Sequence, residues 1–210
     1  GYGVSYQGID FAANNHFFFF FVLDCGIKAV EKIAYAKQKG VDFIICDHHK
    51  PDDELPDAVA VLDAKRPDST YPYDDLSGCG VGFKLMQAFA QDNQIPFSQL
   101  IPLLDLVAVS IASDIVPITD ENRILAYHGL KQLNANPGVG LKAIIHVCDL
   151  DDKEITISDV VFKIGPRLNA SGRIHSAAEA VDLLVTNDIK LAKEMAMKIN
   201  TYNQARKDLD

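Results

Sequence analysis

The sequence predicts an α/β fold: a mostly parallel sheet with crossover helices, followed by a helical part and a long C-terminal connector helix. Three observations predict it. Two continuously apolar segments, residues 17–23 and 43–46, each end on an acid, as strands of a parallel sheet covered by helices do. Between them lies "IKAVEKIAYAKQKG", of helical period. From Ser77 onward the pattern is helical almost to the last residue.

The elements follow in chain order. "GYGVSYQG" holds turn residues and no preceding strand. "HFFFFFVLDCG" reads as a strand ending at Asp24, with Gly26 opening the turn, and its five phenylalanines are most simply buried sheet. The first helix places Ile27, Val30, Ile33 and Ala34 on one side and stops at Gly40. "VDFIICDHH" is the next strand and "AVAVLDAK" another, so the β-α-β-β order implies a parallel sheet. The helices "SGCGVGFKLMQAFAQDN" and "SQLIPLLDLVAVSIASDI" carry Ser77 and Ser98 as N-caps. "DENRILAYHGLKQLN" and "LKAIIHVC" continue the series, and the last helix starts with Asn187 as its cap. That divides the chain into a main domain over 1–186 and a connector helix over 187–210.

Composition bounds the function. The 210 residues are 48% hydrophobic and 23% charged, ordinary for a globular protein. The net charge of −9 supplies no global basic field for nucleic acid, so any polyanion needs local Arg and Lys. Cys25, Cys46, Cys79 and Cys148 lie far apart with no CxxC pair, which reads as reduced thiols in a cytoplasmic protein. The apolar run 17–23 is too short to span a membrane.

Three element ends carry acid or imidazole: Asp24 after "FVL", Asp47-His48-His49 after "IIC", and Asp114 after "VAVSIAS". Ligands of open α/β sheets sit at the carboxyl ends of strands. If the first two strands are neighbours, Asp24 and His48 open onto one edge. Carboxylate oxygen with imidazole nitrogen suits Mn²⁺ or Mg²⁺ better than zinc. The plainer alternative for Asp24 is helix capping. A second cluster, "KIGPRLNASGRIHSAAEA", reads as a tight irregular loop projecting Arg167, Asn169 and Arg173. These suit phosphate oxygens; the alternative is pairing with acids such as Glu179. His16, His128, His146 and His175 stand alone and read as packing or surface residues, His175 least securely.

"LDCGI", "CDHHKP", "SGCGVGFKL", "SIASDIVPITDENR" and "GPRLNASGRI" occur in order along nearly the whole chain. In this order and spacing they resemble the DHH phosphoesterase family, nearest its bacterial single-strand-specific 5′→3′ DNA exonucleases. The resemblance implies two-metal phosphodiester hydrolysis with Mn²⁺ or Mg²⁺ and single-stranded DNA as substrate, in DNA repair and recombination. A single-strand-binding protein or a helicase is an implied partner. It makes Asp24 the metal-bridging carboxylate, His48 and Asp114 further ligands, and His49 the histidine beside the scissile phosphate. Asp47 supports the site as a catalytic-motif residue, and Arg167, Asn169 and Arg173 hold the substrate phosphate. Tyr71, Tyr73 and Phe83 are candidates for base stacking, or equally core.

The sequence departs from the family at two points. No DxDG motif occurs in the 210 residues, and the Gly-rich C-terminal substrate-binding domain is absent. The expectation is a central piece of a longer nuclease, inactive or severely impaired by itself. Two other functions fit the motifs: a DHH phosphodiesterase or phosphatase acting on small nucleotides, and a non-catalytic nucleic-acid-binding relative.

Overall fold

The computed structural model describes residues 3–174 and 177–207. The chain divides into two units, residues 1–94 with 119–122, and residues 95–118 with 123–210.

The first unit runs α1 (Tyr6–Asn14), β1 (Phe19–Leu23), α2 (Val30–Gln38), β2 (Asp42–Cys46), β3 (Ala60–Leu62) and α3 (Gly78–Asp92). All strand pairs are parallel in the order β1-β2-β3, with Leu23 level with Cys46 and Cys46 with Leu62. Helix α2 forms the first crossover. It ends where Gly40 turns to φ +72°, a left-handed conformation that costs glycine little. The second crossover, residues 47–59, contains no helix. Phe43 and Ile45 of β2 pack with Ile9 and Ala12 of α1 and Ile33 and Ala36 of α2.

Two readings of this unit change. Helix α1 replaces the expected turns. Ser5 is its N-cap, accepting from Gly8 N–H at 3.1 Å, and Ile9 and Ala12 supply its buried side. The phenylalanine run is not uniformly buried sheet: Phe17, Phe18 and Phe21 are 57%, 75% and 58% exposed. β1 stands at one end of the strand order, and α1 and α2 cover one face. Phe20 and Val22 therefore meet the core while Phe21 and Leu23 point away from it.

The second unit holds α4 (Leu104–Asp114), most of α5 (Asp120–Ala135), α6 (Val139–Val147), the single turn α7 (Ile157–Asp159), a π-helical turn Val160–Ile164, α8 (Gly165–Ile174), α9 (Ala177–Val185) and α10 (Ile189–Lys207). Val109, Leu141, Ile144, Ile164, Leu183, Ala196 and Ile199 share its core. Two expectations are corrected here. The helix expected from Ser98 starts only at Leu104, after two 3₁₀ turns, Phe97–Gln99 and Ile101–Leu103. An α-helix from Ser98 would place Pro102 in its interior, where it has no N–H to donate and its ring clashes with the preceding turn. The stretch Phe97–Asp114 is long and apolar enough to cross a membrane by composition. Here its helix buries Leu104, Val107, Ala108, Ile111 and Ala112 within the protein. Helix α10 is capped by Asp188, whose Oδ1 accepts from Lys190 N–H at 2.8 Å and Leu191 N–H at 3.2 Å, and not by Asn187.

Ile45, wholly buried at 0% exposure, is expected to lose about 2–5 kcal/mol on change to alanine. Phe18→Ala, at 75% exposure, should stay within about 0.5 kcal/mol. Denaturant midpoints at constant slope check both.

Candidate metal centre

The sheet register builds the site. Because Leu23 is level with Cys46, Asp24 and Asp47 leave their strands side by side. Asp24 N–H donates to Cys46 O at 2.9 Å, and Asp47 N–H donates to Leu62 O at 3.0 Å. Each strand end is thus fastened to the next. Asp24 adopts φ +62°, a left-handed conformation that aspartate tolerates better than most non-glycine residues. An acid is retained there although glycine would fit the backbone better.

Asp47 is 1% exposed, and both of its oxygens are occupied. Oδ2 accepts from Ile27 N–H at 3.0 Å. Oδ1 accepts from His48 N–H at 2.8 Å and His49 N–H at 3.2 Å, and lies 2.7 Å from His49 Nδ1. Burial alone pushes its carboxyl up, but the bonds from Ile27, the His49 ring and the two histidine amides outweigh burial and hold it below the usual range. An ionised Asp47 can only accept, so His49 Nδ1–H donates to Oδ1 and the ring is turned with Nε2 away from Asp47. Asp47 therefore uses both oxygens to orient the site's backbone and the His49 ring.

His48 is buried at 7% exposure, and its Nε2 lies 3.0 Å from Asp24 Oδ1. The His49 side chain is 57% exposed, with its ring centroid 4.6 Å from that of His48. One donor atom from each of Asp24, His48 and His49 lies within 4.8 Å of the others. Two donors bound at right angles to one small divalent ion stand about 3 Å apart, which matches the Asp24–His48 spacing. The neighbouring thiol does not join this donor set. Cys25 is not among the converging donor atoms, and burial first, then the charges of Asp47 and Asp24, push its thiol up. An oxygen and nitrogen set without thiolate suits Mn²⁺ or Mg²⁺.

Asp24, Asp47, His48 and His49 come together in the first unit; Asp114, Arg167, Asn169 and Arg173 belong to the second. Asp114 is the exposed last residue of α4, before Ile115 turns to φ +57°. The loop reading of "GPRLNASGR" is corrected: it is helix α8. Pro166 sits in the first turn, where its missing N–H leaves no bond unmade. Arg167 donates from Nε to Asn200 Oδ1 at 2.7 Å and from Nη1 to Lys163 O at 2.9 Å. Asn169 is exposed. Arg173 is helical, its side chain and the whole of His175 lying outside the described residues. Glu179 accepts from Lys198 at 2.7 Å, and His146 pairs with Asp151 at 2.7 Å. Tyr73 and Phe83 are buried and Tyr71 bonds Glu121, so two of the three stacking candidates are core. All four cysteines are free thiols, Cys46 and Cys148 buried.

Sequence reading missed two participants. Asp63 follows β3 as Asp24 follows β1, with the same "VLD" before it, a signal that was present. It is 6% exposed, and burial first, then the charge of Asp47, push its carboxyl up. Ile27 contributes only its backbone N–H, for which no side-chain signal exists.

Residues 10–111 match the family described as "DHH family, N-terminal domain". Those residues belong to the DHH family. Around this DHH domain, the whole chain is 40% identical over 209 residues to the single-stranded-DNA-specific exonuclease RecJ of Bacillus subtilis, spanning 26% of that protein. It is 34% identical over 221 residues to RecJ of Haemophilus influenzae, spanning 38% of it. Among solved structures, a manganese-bound exonuclease RecJ superposes with a TM-score of 0.84 at 30% identity, over all of this chain and 52% of that one. RecJ of Thermus thermophilus with Mn²⁺ gives 0.83 at 28% identity, over 96% of this chain and 30% of that one.

Asp47→Asn places an NH₂ group where an acceptor is needed and should destabilise the DHH domain by about 2–4 kcal/mol. A lowered carboxyl pKa contributes stability that is present above the ordinary carboxylate value and lost as pH falls through the lowered one. Acid unfolding of the variant, followed by circular dichroism, is therefore expected to show a shallower dependence on pH at the acid end than the parent.

Proposed function

We propose that this chain is the metal-holding part of a DHH-family exonuclease that hydrolyses phosphodiester bonds of single-stranded DNA from the 5′ end, in the cytoplasm. The observation that carries it is the Asp24–His48–His49 cluster at the carboxyl edge of a parallel sheet, its acid and buried imidazole 3.0 Å apart. The relatives named as single-stranded-DNA-specific exonucleases and the Mn²⁺- and Mg²⁺-bound RecJ structures support it.

In this reading Asp24 and His48 would serve as ligands to a divalent cation, Mn²⁺ or Mg²⁺, and Asp114 as a further ligand. Bound there, such ions lower the pKa of a water and offset charge on the phosphate. The chain's own residues do the rest. Asp47 fixes the His49 ring with Nε2 outward, available to the scissile phosphate. Arg167, held by Asn200 and the Lys163 carbonyl, would hold the substrate phosphate together with Asn169 and Arg173, its neighbours in sequence.

Calorimetric titration with Mn²⁺ tests the reading. The parent should bind, and His48→Ala should weaken binding at least tenfold while keeping its circular dichroism. Equal binding by the variant, or none by the folded parent, would overturn it.

A further inference from the structure

Two residues beside the metal centre stand in backbone positions that do not by themselves call for them. Asp24 occupies φ +62°, where glycine is favoured. Gly78 is the first residue of α3 and has no positive φ, so nothing in its conformation asks for glycine, a poor helix former. Their contact explains both. A Cβ at position 78 would stand 2.5 Å from Asp24 Cγ and 2.6 Å from Asp24 Cβ, and closer still to Oδ1. Such separations are far inside van der Waals contact.

We propose that Gly78 is a positioning residue for the metal centre: its missing side chain lets the start of α3 press on Asp24 and hold that carboxylate beside His48. The proposal rests on the metal reading of Asp24 and His48. Asp24 cannot yield cheaply. Its backbone is tied by its N–H to Cys46 O at 2.9 Å, and the clash reaches Cβ, which moves only with the backbone. The same oxygen that a Cβ at 78 would strike, Oδ1, lies 3.0 Å from His48 Nε2, so moving it aside changes its place beside that imidazole. The helix start is equally fixed, since Ser77 caps it by accepting from Gly80 N–H at 3.1 Å and is itself 0% exposed. One turn on, Gly82 offers a contrast. A Cβ there would meet Leu23 Cδ2 at 3.1 Å, the tip of a flexible side chain that can rotate aside.

Mn²⁺ affinity by calorimetry and thermal midpoints are measured for the parent, Gly78→Ala, Gly82→Ala, Asp24→Gly and the Asp24→Gly/Gly78→Ala pair. Gly78→Ala is expected to bind Mn²⁺ at least tenfold more weakly, and Gly82→Ala within twofold of the parent. Gly78→Ala should lower the midpoint when Asp24 is present and leave it unchanged or raised in the Asp24→Gly background. Parent-like Mn²⁺ binding by Gly78→Ala overturns the proposal, as does an equal fall in midpoint in both backgrounds, which would mark ordinary packing. If the parent itself binds no Mn²⁺, the metal reading falls, and the midpoint comparison alone decides whether Gly78 positions Asp24.

Discussion

The buried carboxylate of Asp47 is the constraint on which the DHH domain's site depends. At 1% exposure it is shut off from bulk water, and no lysine or arginine is paired with it among the described residues. It is held ionised by backbone N–H groups of Ile27, His48 and His49 and by the His49 ring. A charge buried this way is tolerable only while every donor stays in place. The same bonds join the approach to α2, the end of β2 and the orientation of one imidazole. Function and fold are coupled there because a single group serves both.

Asp24 and Asp47 show how neighbouring acids acquire different work. The register sets them side by side, yet the Asp24 side chain is 60% exposed and that of Asp47 1%. Asp24 keeps an oxygen free to approach His48, whereas Asp47 spends both on the protein. Local preference is overridden where this matters, with an acid in a left-handed conformation and a glycine in a helix. Departures of that kind gather at sites whose geometry is held by their surroundings.

The second unit arranges its polar groups by another device. The π-helical turn Val160–Ile164 leads directly into α8, and π turns often accompany functional positions. Gly165 begins α8 against Ser113, whose Oγ would lie 2.8 Å from a Cβ at 165, so α4 and α8 meet closely next to Asp114. Arg167 is then fixed by Asn200 of α10. A helix far along the sequence thus orients the guanidinium of a motif residue.

The sequence by itself determined the parallel sheet, the order of its elements and most of the helices. Apolar runs, helical period and capping residues such as Ser77 are local signals, and they survive into the fold. It also marked Asp24, Asp47, His48 and His49, because acids and imidazoles after apolar strands are conspicuous. It did not determine which phenylalanines are covered: continuity of apolar residues does not say whether one face or two is packed, and β1 has one face on the core. It misread "GPRLNASGR" as a loop, since Pro166 and the glycines are turn formers in general but tolerable where a helix starts and packs closely. Only the tertiary structure decided that Asp47 supports while Asp24 stays open. Hydrogen bonds from residues as distant in sequence as Ile27, and the Cβ that Gly78 lacks, arise from approach in space, for which one-dimensional spacing has no counterpart.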